Sequence, residues 1–183
     1  MRKLKLQVQM TVDGFVAGPE GQLDWMIRGG GQEPVIELAD SCDTILMGRK
    51  MSREFIDHWE NILDNQPDSR EQALSQRMVN MRKIVFSRAQ TTINGRNVEM
   101  ANGDLAATVQ ALKKEAGKDI IVYGGACFVS ALIEQNLIDE YHLFINPVAI
   151  GKGLRIFKDR KPLVLTKSVC YKNMVIANTY LPA

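Results

Sequence analysis

Three short segments combine glycine, hydroxyl and cationic residues in a way that suits the binding of phosphate groups. They are Gly48-Arg49-Lys50, Ser87-Arg88 and Gly124-Gly125. Glycine has no Cβ atom, so a ligand can approach its backbone closely, and the unpaired N–H groups at the start of a helix attract phosphate. Cations beside an adenosine ribose favour a 2′-phosphate over a bare hydroxyl. These residues therefore predict the binding of a dinucleotide of the NADP type.

Each of the three segments directly follows an apolar run that predicts a buried β-strand. The runs are Thr44–Met47, Lys83–Phe86 and Ile120–Tyr123. The carboxyl ends of parallel strands meet at one edge of a sheet, where α/β proteins bind ligands. We therefore expect the three segments to lie close together. The alternative is that the glycine pair only makes a tight turn and that each cation is a solvated surface residue.

Other chemistries find little support in the sequence. No G-x-S-x-G turn accompanies the two histidines, His58 and His142, so a Ser/His/Asp hydrolase is not predicted. The three cysteines, Cys42, Cys127 and Cys170, lack the spacing of a zinc site, and we predict no metal. The G-x-G-x-x-G fingerprint of many NAD-binding proteins is also absent.

The composition is ordinary for a soluble globular chain. Apolar residues make up 45% and charged residues 24% of the 183 residues, and the net charge of +2 gives no reason to expect nucleic acid as a partner. The sequence contains no apolar run of membrane-spanning length and no signal-peptide pattern, so we expect no membrane partner. Dispersed, unpaired cysteines suit a reducing compartment, and a cytoplasmic location is predicted.

The predicted elements form a single α/β domain over residues 1–183. Alternating apolar residues from Leu4 to Met10 predict the first strand. The segment Ile120–Ile145 predicts a strand, a glycine turn, a helix and a second strand, which is a βαβ unit with parallel strands and a right-handed crossover. Two further runs, Leu163–Tyr171 and Met174–Tyr180, predict an antiparallel hairpin at the sheet edge.

Two connecting segments, a short helix and a helix start are also predicted. The glycine-containing stretch Thr11–Trp25 is interpreted as an ordered lid over a pocket, the alternative being a loop that simply packs on the core. A short helix through Phe55 and Trp59 is followed by a polar connector, Asn61–Asp68. The sequence Asp68-Ser-Arg-Glu71 then predicts a capping box at the start of the next helix.

Seven motifs follow one another along the chain at intervals that resemble a known family. They are Thr11–Gly18, Leu23–Trp25, Ile45–Arg49, Ile84–Ser87, Val122–Ala126, Leu137–Val148 and Gly151–Phe157. They are similar to those of dihydrofolate reductase-like proteins, and more closely to the reductase domain of the bifunctional riboflavin-biosynthesis deaminase–reductase. The resemblance implies a dihydrofolate reductase-like three-layer α/β/α fold with a mostly parallel central sheet and an antiparallel C-terminal edge hairpin. It also implies a homodimer.

Carried over position by position, the resemblance implies an NADPH site and a substrate site. The cofactor-binding residues that it implies are Val16, Ala17, Gly48, Arg49, Lys50, Met51, Ser87, Arg88, Gly124, Gly125, Ala126, Cys127 and Phe128. The substrate-binding residues that it implies are Asp13, Trp25 and Phe55.

The proton donor has several candidates. In dihydrofolate reductases an acid on the first helix grips the pterin; here its position falls at Gln32, with Glu33 next to it and Glu37 one turn on. Asp13, Glu33 and Glu37 are the candidate catalytic acids, and water is a fourth source. Alternatively, Asp13 only shapes a turn before Gly14, and the two glutamates are solvated or capping residues.

The expected activity follows from the resemblance. It implies an NADPH-dependent reductase that transfers hydride to a small heterocycle or a ribosylaminopyrimidine, similar to 5-amino-6-(5-phosphoribosylamino)uracil reductase of riboflavin biosynthesis. Two alternatives stay open at this point. One is dihydrofolate reductase activity, and the other is a non-catalytic NADP-binding module.

Overall fold

The computed structural model describes residues 1–27, 33–89, 92–172 and 174–183, and only the backbone of Glu33. Its strands and helices are, in chain order, β1 (Leu4–Thr11), α1 (Glu33–Asp40), β2 (Cys42–Gly48), α2 (Arg49–Asn65), α3 (Gln72–Asn80), β3 (Arg82–Phe86), β4 (Val98–Ala101), α4 (Leu105–Lys114), β5 (Asp119–Val122), α5 (Ala126–Glu134), β6 (Glu140–Asn146), β7 (Leu163–Cys170) and β8 (Ile176–Pro182).

The strands form one sheet in the order β4-β3-β2-β5-β1-β6-β8-β7. The first six strands in this order run parallel to one another. Strands β8 and β7 are antiparallel to their neighbours and form the edge hairpin. The mostly parallel sheet with an antiparallel C-terminal hairpin is therefore confirmed. The βαβ prediction is refined, because β5 and β6 are parallel but lie on either side of β1 rather than next to each other.

Helices cover both faces of the sheet. Val109 of α4 and Leu132 of α5 belong to the apolar cluster on one face. Ile56 of α2 and Met78 of α3 belong to the cluster on the other face. The predicted three-layer α/β/α arrangement is confirmed. None of the described helices is long and apolar enough to cross a membrane.

Helix α2 is longer than predicted. It runs for 17 residues from Arg49 to Asn65, so the first half of the predicted connector Asn61–Asp68 is helical. Ile62 is buried within it, and the side-chain amide of Asn65 donates a hydrogen bond of 2.9 Å to the side-chain oxygen of Asn61. The polar residues that suggested a connector lie on the solvent side of an amphipathic helix.

The predicted capping box Asp68–Glu71 is wrong. Helix α3 begins at Gln72, and its N-cap residue, Glu71, makes no side-chain capping bond. Instead the hydroxyl of Ser69 accepts a hydrogen bond from the Glu71 N–H at 3.2 Å, and the Ser69 carbonyl accepts one from the Gln72 N–H at 3.0 Å. A turn therefore occupies the predicted first turn of the helix, because the serine satisfies the backbone there locally.

The loop Thr11–Trp25 has two parts. In the first part Phe15 and Ala17 are buried, the Val16 N–H donates to the Leu154 carbonyl at 2.9 Å, and the Leu154 N–H donates to the Ala17 carbonyl at 2.8 Å. The second part borders a large cleft. Both interpretations of the segment are therefore partly met. Its first half packs on the core, and its second half forms one wall of the cleft.

Candidate cofactor and substrate site

Three parallel strands end side by side at the edge of the sheet where a ligand is expected. Strands β3, β2 and β5 are neighbours, and the last residue of β2, Gly48, pairs with the last residue of β3, Phe86. Since the three strands are parallel, the segments that begin at Gly48, Ser87 and Gly124 start at the same edge. The structure therefore brings the three predicted phosphate-binding segments together.

The glycines at this edge are required by close approach and by backbone conformation. A Cβ atom on Gly48 would lie 2.9 Å from the Cβ of Phe128 in the first turn of α5. Gly124 and Gly125 both have positive φ angles, +154° and +79°, and a Cβ on Gly124 would lie 3.3 Å from the sulfur of Met51. Met51 and Phe128 thus line a narrow cradle that has a glycine backbone as its floor.

Two helices begin in this cradle with no side chain capping them. Gly48 is the N-cap of α2 and Gly125 is the N-cap of α5, and no side chain of the described residues accepts a hydrogen bond from the first N–H groups of either helix. The predicted residues Ala126 and Cys127 occupy the first turn of α5. The exposed N–H groups and the positive ends of both helix dipoles favour an anion at this position.

The three cations at the sheet edge are unpaired among the described residues. Arg49, Lys50 and Arg88 are exposed, and within the described ranges their charged side-chain groups make no salt bridge or hydrogen bond. Arg77, by contrast, forms a two-pronged pair with Asp40 at 2.6 and 2.9 Å. Positive charge is therefore available at the cradle for a phosphorylated ligand.

Ser87 shapes the turn after β3. Its hydroxyl donates to the Ala89 carbonyl at 2.9 Å and accepts from the Ala89 N–H at 3.2 Å, while its own N–H donates to the Ala101 carbonyl. These contacts hold the turn that carries Arg88. Together with the glycine cradle and the two uncapped helices, the turn fits the phosphate groups of a dinucleotide.

A cleft of about 700 Å³ opens next to the cradle. Its wall on α2 consists of Met51, Phe55 and Trp59, and Tyr123 and Phe144 line it from the sheet. Phe55 stacks on Tyr123 with ring centroids 5.8 Å apart and meets the edge of Trp59 at 6.1 Å. The predicted substrate-binding residue Phe55 therefore lies in a cleft with a cluster of aromatic side chains that suits a flat ligand.

Tyr123 joins the cradle to the cleft. It directly precedes Gly124, and its hydroxyl is buried without a hydrogen-bond partner in the described structure. Burial raises the pKa of Tyr123 well above its ordinary value, so the phenol stays protonated at neutral pH. It can donate a hydrogen bond but cannot act as a base.

Asp13 anchors loops rather than facing the cleft. Its carboxylate accepts hydrogen bonds from the Thr11 hydroxyl at 2.5 Å, from the Gly151 N–H at 2.7 Å and from the Ile150 N–H at 3.1 Å. The bond from Thr11, reinforced by the two backbone donors, lowers the pKa of Asp13. The geometry thus disagrees with its predicted roles as proton donor and substrate contact and favours the turn-forming alternative.

The two glutamate candidates do not meet at the cleft in the described structure. Glu37 lines a separate hollow of about 460 Å³, together with His142 and Thr179. The side chain of Glu33, like the whole of Gln32, lies outside the described residues. Among the described side chains of α1, the one that lines the cleft is Val35.

Trp25 and the Val16–Ala17 pair border the site without lining the cleft. The indole N–H of Trp25 donates to the Gln22 carbonyl at 3.2 Å, and its neighbours Asp24 and Met26 line the cleft instead. Trp25 therefore holds the loop, which differs from its predicted contact with substrate. The N–H of Ala17 makes no backbone hydrogen bond within the described ranges.

Several cleft residues had not been predicted. Trp59, Tyr123 and Phe144 come from a helix, a strand end and a distant strand. Only the helical part carried a signal in the sequence, because Met51, Phe55 and Trp59 recur every four residues and must share one face of a helix.

Comparison with known proteins identifies the family. Residues 2–177 match the family model described as the RibD C-terminal domain. The chain belongs to the RibD C-terminal domain family. An uncharacterized protein of Bacillus subtilis (strain 168), YyaP, is 36% identical over 172 residues, which cover 92% of this chain and 87% of that protein.

Solved structures show that RibD proteins share this fold. RibD of Acinetobacter baumannii superposes with a TM-score of 0.75 at 15% identity, covering 100% of this chain and 58% of that chain. A diaminohydroxyphosphoribosylaminopyrimidine deaminase/5-amino-6-(5-phosphoribosylamino)uracil reductase of Thermotoga maritima gives 0.67 at 17% identity, with 100% and 57% covered. The present chain thus spans little more than half of these two RibD chains.

Proposed function

We propose that this protein is an NADPH-dependent reductase that transfers hydride to a small, flat heterocycle of the ribosylaminopyrimidine type. The observation that carries the proposal is the direct junction between the glycine cradle and the aromatic cleft at Met51 and Tyr123. The cradle suits the phosphorylated end of a dinucleotide, and the cleft suits a flat acceptor. Membership of the RibD C-terminal domain family supports the same reaction class.

The chain's own residues bind and orient the cofactor. The uncapped starts of α2 and α5 would hold the pyrophosphate, and Arg49, Lys50 and Arg88 would hold the 2′-phosphate. Gly124 and Gly125 allow the cofactor to lie against the backbone between Met51 and Phe128. When bound, NADPH supplies the hydride.

The cleft positions the acceptor and limits its contact with water. Stacked Phe55 and Tyr123 would keep a heterocycle flat beside the cofactor. Reduction of a C=N bond places the hydride on carbon and one proton on nitrogen. Because Asp13 and Glu37 lie outside the cleft, we propose that this proton comes from water rather than from either of these two acids.

Folate reduction is less well supported than reduction of another heterocycle. Dihydrofolate reductases bind the pterin with an acid on the first helix, whereas the described part of α1 contributes only the apolar Val35 to the cleft. A non-catalytic NADP-binding module would need the cradle but not the aromatic cleft beside it.

Kinetic measurements distinguish these three functions. The full chain is mixed with NADPH and, in separate experiments, with 5-amino-6-(5-ribosylamino)uracil, its 5′-phosphate and dihydrofolate, and the loss of NADPH absorbance is followed. Oxidation with a ribosylaminopyrimidine supports the proposal. Oxidation with dihydrofolate alone favours folate reduction, and NADPH binding without any oxidation favours the binding module.

A cytoplasmic location and a homodimer are also part of the proposal. Cys42, Cys127 and Cys170 are unpaired, as is usual in a reducing compartment. The edge hairpin exposes apolar side chains, including those of Val164 and Leu165, which a second copy of the chain could cover.

A further inference from the structure

The charges that line the cleft are opposite in sign to those of the cradle. Asp24, Glu54 and Glu71 line the cleft, and within the described residues its lining includes no lysine or arginine. The cradle next to it carries Arg49 and Lys50. One continuous site therefore has a cationic end for the cofactor and an acidic end for the acceptor.

Among the described residues, the three carboxylates of the cleft have no partner that neutralises them. No salt bridge or hydrogen bond to a side-chain oxygen of Asp24, Glu54 or Glu71 occurs there. A dianionic phosphate placed in this cleft would meet like charges and would lose its hydration without gaining a cation from the described lining. Charge repulsion and the loss of hydration therefore both oppose the binding of a phosphate in this cleft.

The start of α3 does not offer a phosphate site either. It reaches the cleft through Glu71, whose carboxylate brings a negative charge to the position that an anion would take. Two N–H groups there are already used, because those of Glu71 and Gln72 both donate to Ser69. His58 also lines the cleft.

The floor of the cleft offers an uncharged recognition group. Gln7 of β1 is only 6% exposed and lines the cleft, yet its side-chain amide makes no hydrogen bond within the described chain. An amide presents one acceptor and two donors, which match the alternating ring nitrogens and exocyclic groups of a heterocycle. This buried, unpartnered amide suits a neutral ring edge rather than a phosphate.

We infer that the cleft takes an unphosphorylated planar heterocycle, neutral or cationic, and rejects the corresponding phosphate ester. The inference rests on the proposed function, in that the cleft is the acceptor site of an NADPH-dependent reductase. A preference for an unphosphorylated acceptor would distinguish this chain from the Thermotoga maritima reductase, whose name specifies a phosphoribosylamino substrate. Gln7 recognises the ring, and Asp24, Glu54 and Glu71 exclude the anion.

A matched pair of ligands tests the inference. The full chain is saturated with NADP⁺, so that no turnover occurs, and is titrated calorimetrically at about pH 8 with 5-amino-6-(5-ribosylamino)uracil and with its 5′-phosphate. We expect the unphosphorylated compound to bind about tenfold or more tightly than the ester. Equal or tighter binding of the ester overturns the inference, and so does failure of both compounds to bind.

Two charge-reversal variants show whether the carboxylates cause the discrimination. Glu54→Lys places a cation in the cleft, whereas Asp57→Lys makes the same charge change on the exposed face of α2, away from the cleft. The ratio of the two affinities should move towards the ester in Glu54→Lys and stay near the wild-type value in Asp57→Lys. An equal shift in both variants means that net charge, not the cleft, sets the preference, and this also overturns the inference.

Failure of the proposed function is recognised separately. NADPH binding is followed by fluorescence before any acceptor is added. If NADPH does not bind, the proposed function fails. If NADPH binds and the ester is preferred, only the substrate class assigned here is wrong.

Discussion

A Cβ atom on Gly48 would lie 2.9 Å from the Cβ of Phe128, so the end of β2 and the first turn of α5 are in contact at backbone distance. The clash cannot be relieved by a rotamer change, because the Phe128 Cβ is fixed to the helix backbone. We expect Gly48→Ala to lower the free energy of unfolding by about 1–3 kcal/mol and to weaken NADPH binding, since the cradle must open.

Urea unfolding and an NADPH titration measure these two effects. Gly103→Ala is the matched control, because its Cβ would meet only the Thr108 hydroxyl at 3.3 Å, which can rotate away. If Gly48→Ala is as stable as Gly103→Ala and binds NADPH normally, the close contact between Gly48 and α5 is absent in solution.

Arg49 is expected to recognise the 2′-phosphate that distinguishes NADPH from NADH. It is exposed at the start of α2, and its guanidinium has no partner in the described structure. Arg49→Ala should weaken NADPH by about 1–3 kcal/mol and leave NADH nearly unchanged. Arg53→Ala, on the exposed side of the same helix, is the control. Equal weakening of both cofactors would show that Arg49 contacts a group that they share.

The cofactor edge could be predicted from the sequence because its parts are local. Each of the segments at Gly48, Ser87 and Gly124 directly follows its own strand, and the parallel sheet aligns the three strand ends without any knowledge of side-chain packing. The rule that ligands bind at the carboxyl ends of parallel strands then places the site.

The acceptor cleft and the role of Asp13 depend on contacts between distant parts of the chain. Asp13 accepts a hydrogen bond from Gly151, 138 residues away, and nothing around Asp13 in the sequence indicates that partner. The cleft likewise joins Phe55 of α2 to Tyr123 and Phe144 of the sheet. Local patterns could predict the elements, but not which side chains the fold would bring together.

The buried hydroxyl of Tyr123 is expected to lower the free energy of unfolding. That group is buried without a hydrogen-bond partner among the described residues, so it has lost its hydration and gained nothing in return. Tyr123→Phe should raise the free energy of unfolding by about 1 kcal/mol. Tyr141→Phe should act in the same direction, because the Tyr141 hydroxyl is also buried and has no partner in the described part of the chain. Lower stability of Tyr123→Phe would show that the hydroxyl has a partner after all.

Asp13 should affect stability in acid but should not set the pH dependence of catalysis. Its folded pKa lies below the ordinary 3.8, so its contribution is complete above about pH 4 and is lost as the pH falls through the folded value. The difference in unfolding free energy between wild type and Asp13→Asn should therefore shrink in strong acid. Near neutral pH the two should have pH–rate profiles of the same shape, and a lost ionisation in Asp13→Asn would restore Asp13 as a proton donor.

The proposed homodimer can be tested at the edge hairpin. Val164 of β7 and Leu181 of β8 are directly opposite each other, and 51% and 37% of their respective surfaces are exposed. Exposed apolar neighbours on an edge hairpin are a typical contact between two copies of a chain. Val164→Asp should convert a dimer to a monomer in sedimentation experiments, because a carboxylate is costly to bury. Gln110→Asp, on exposed α4, introduces the same charge and should stay dimeric. If both variants remain dimeric, the interface lies elsewhere on the surface.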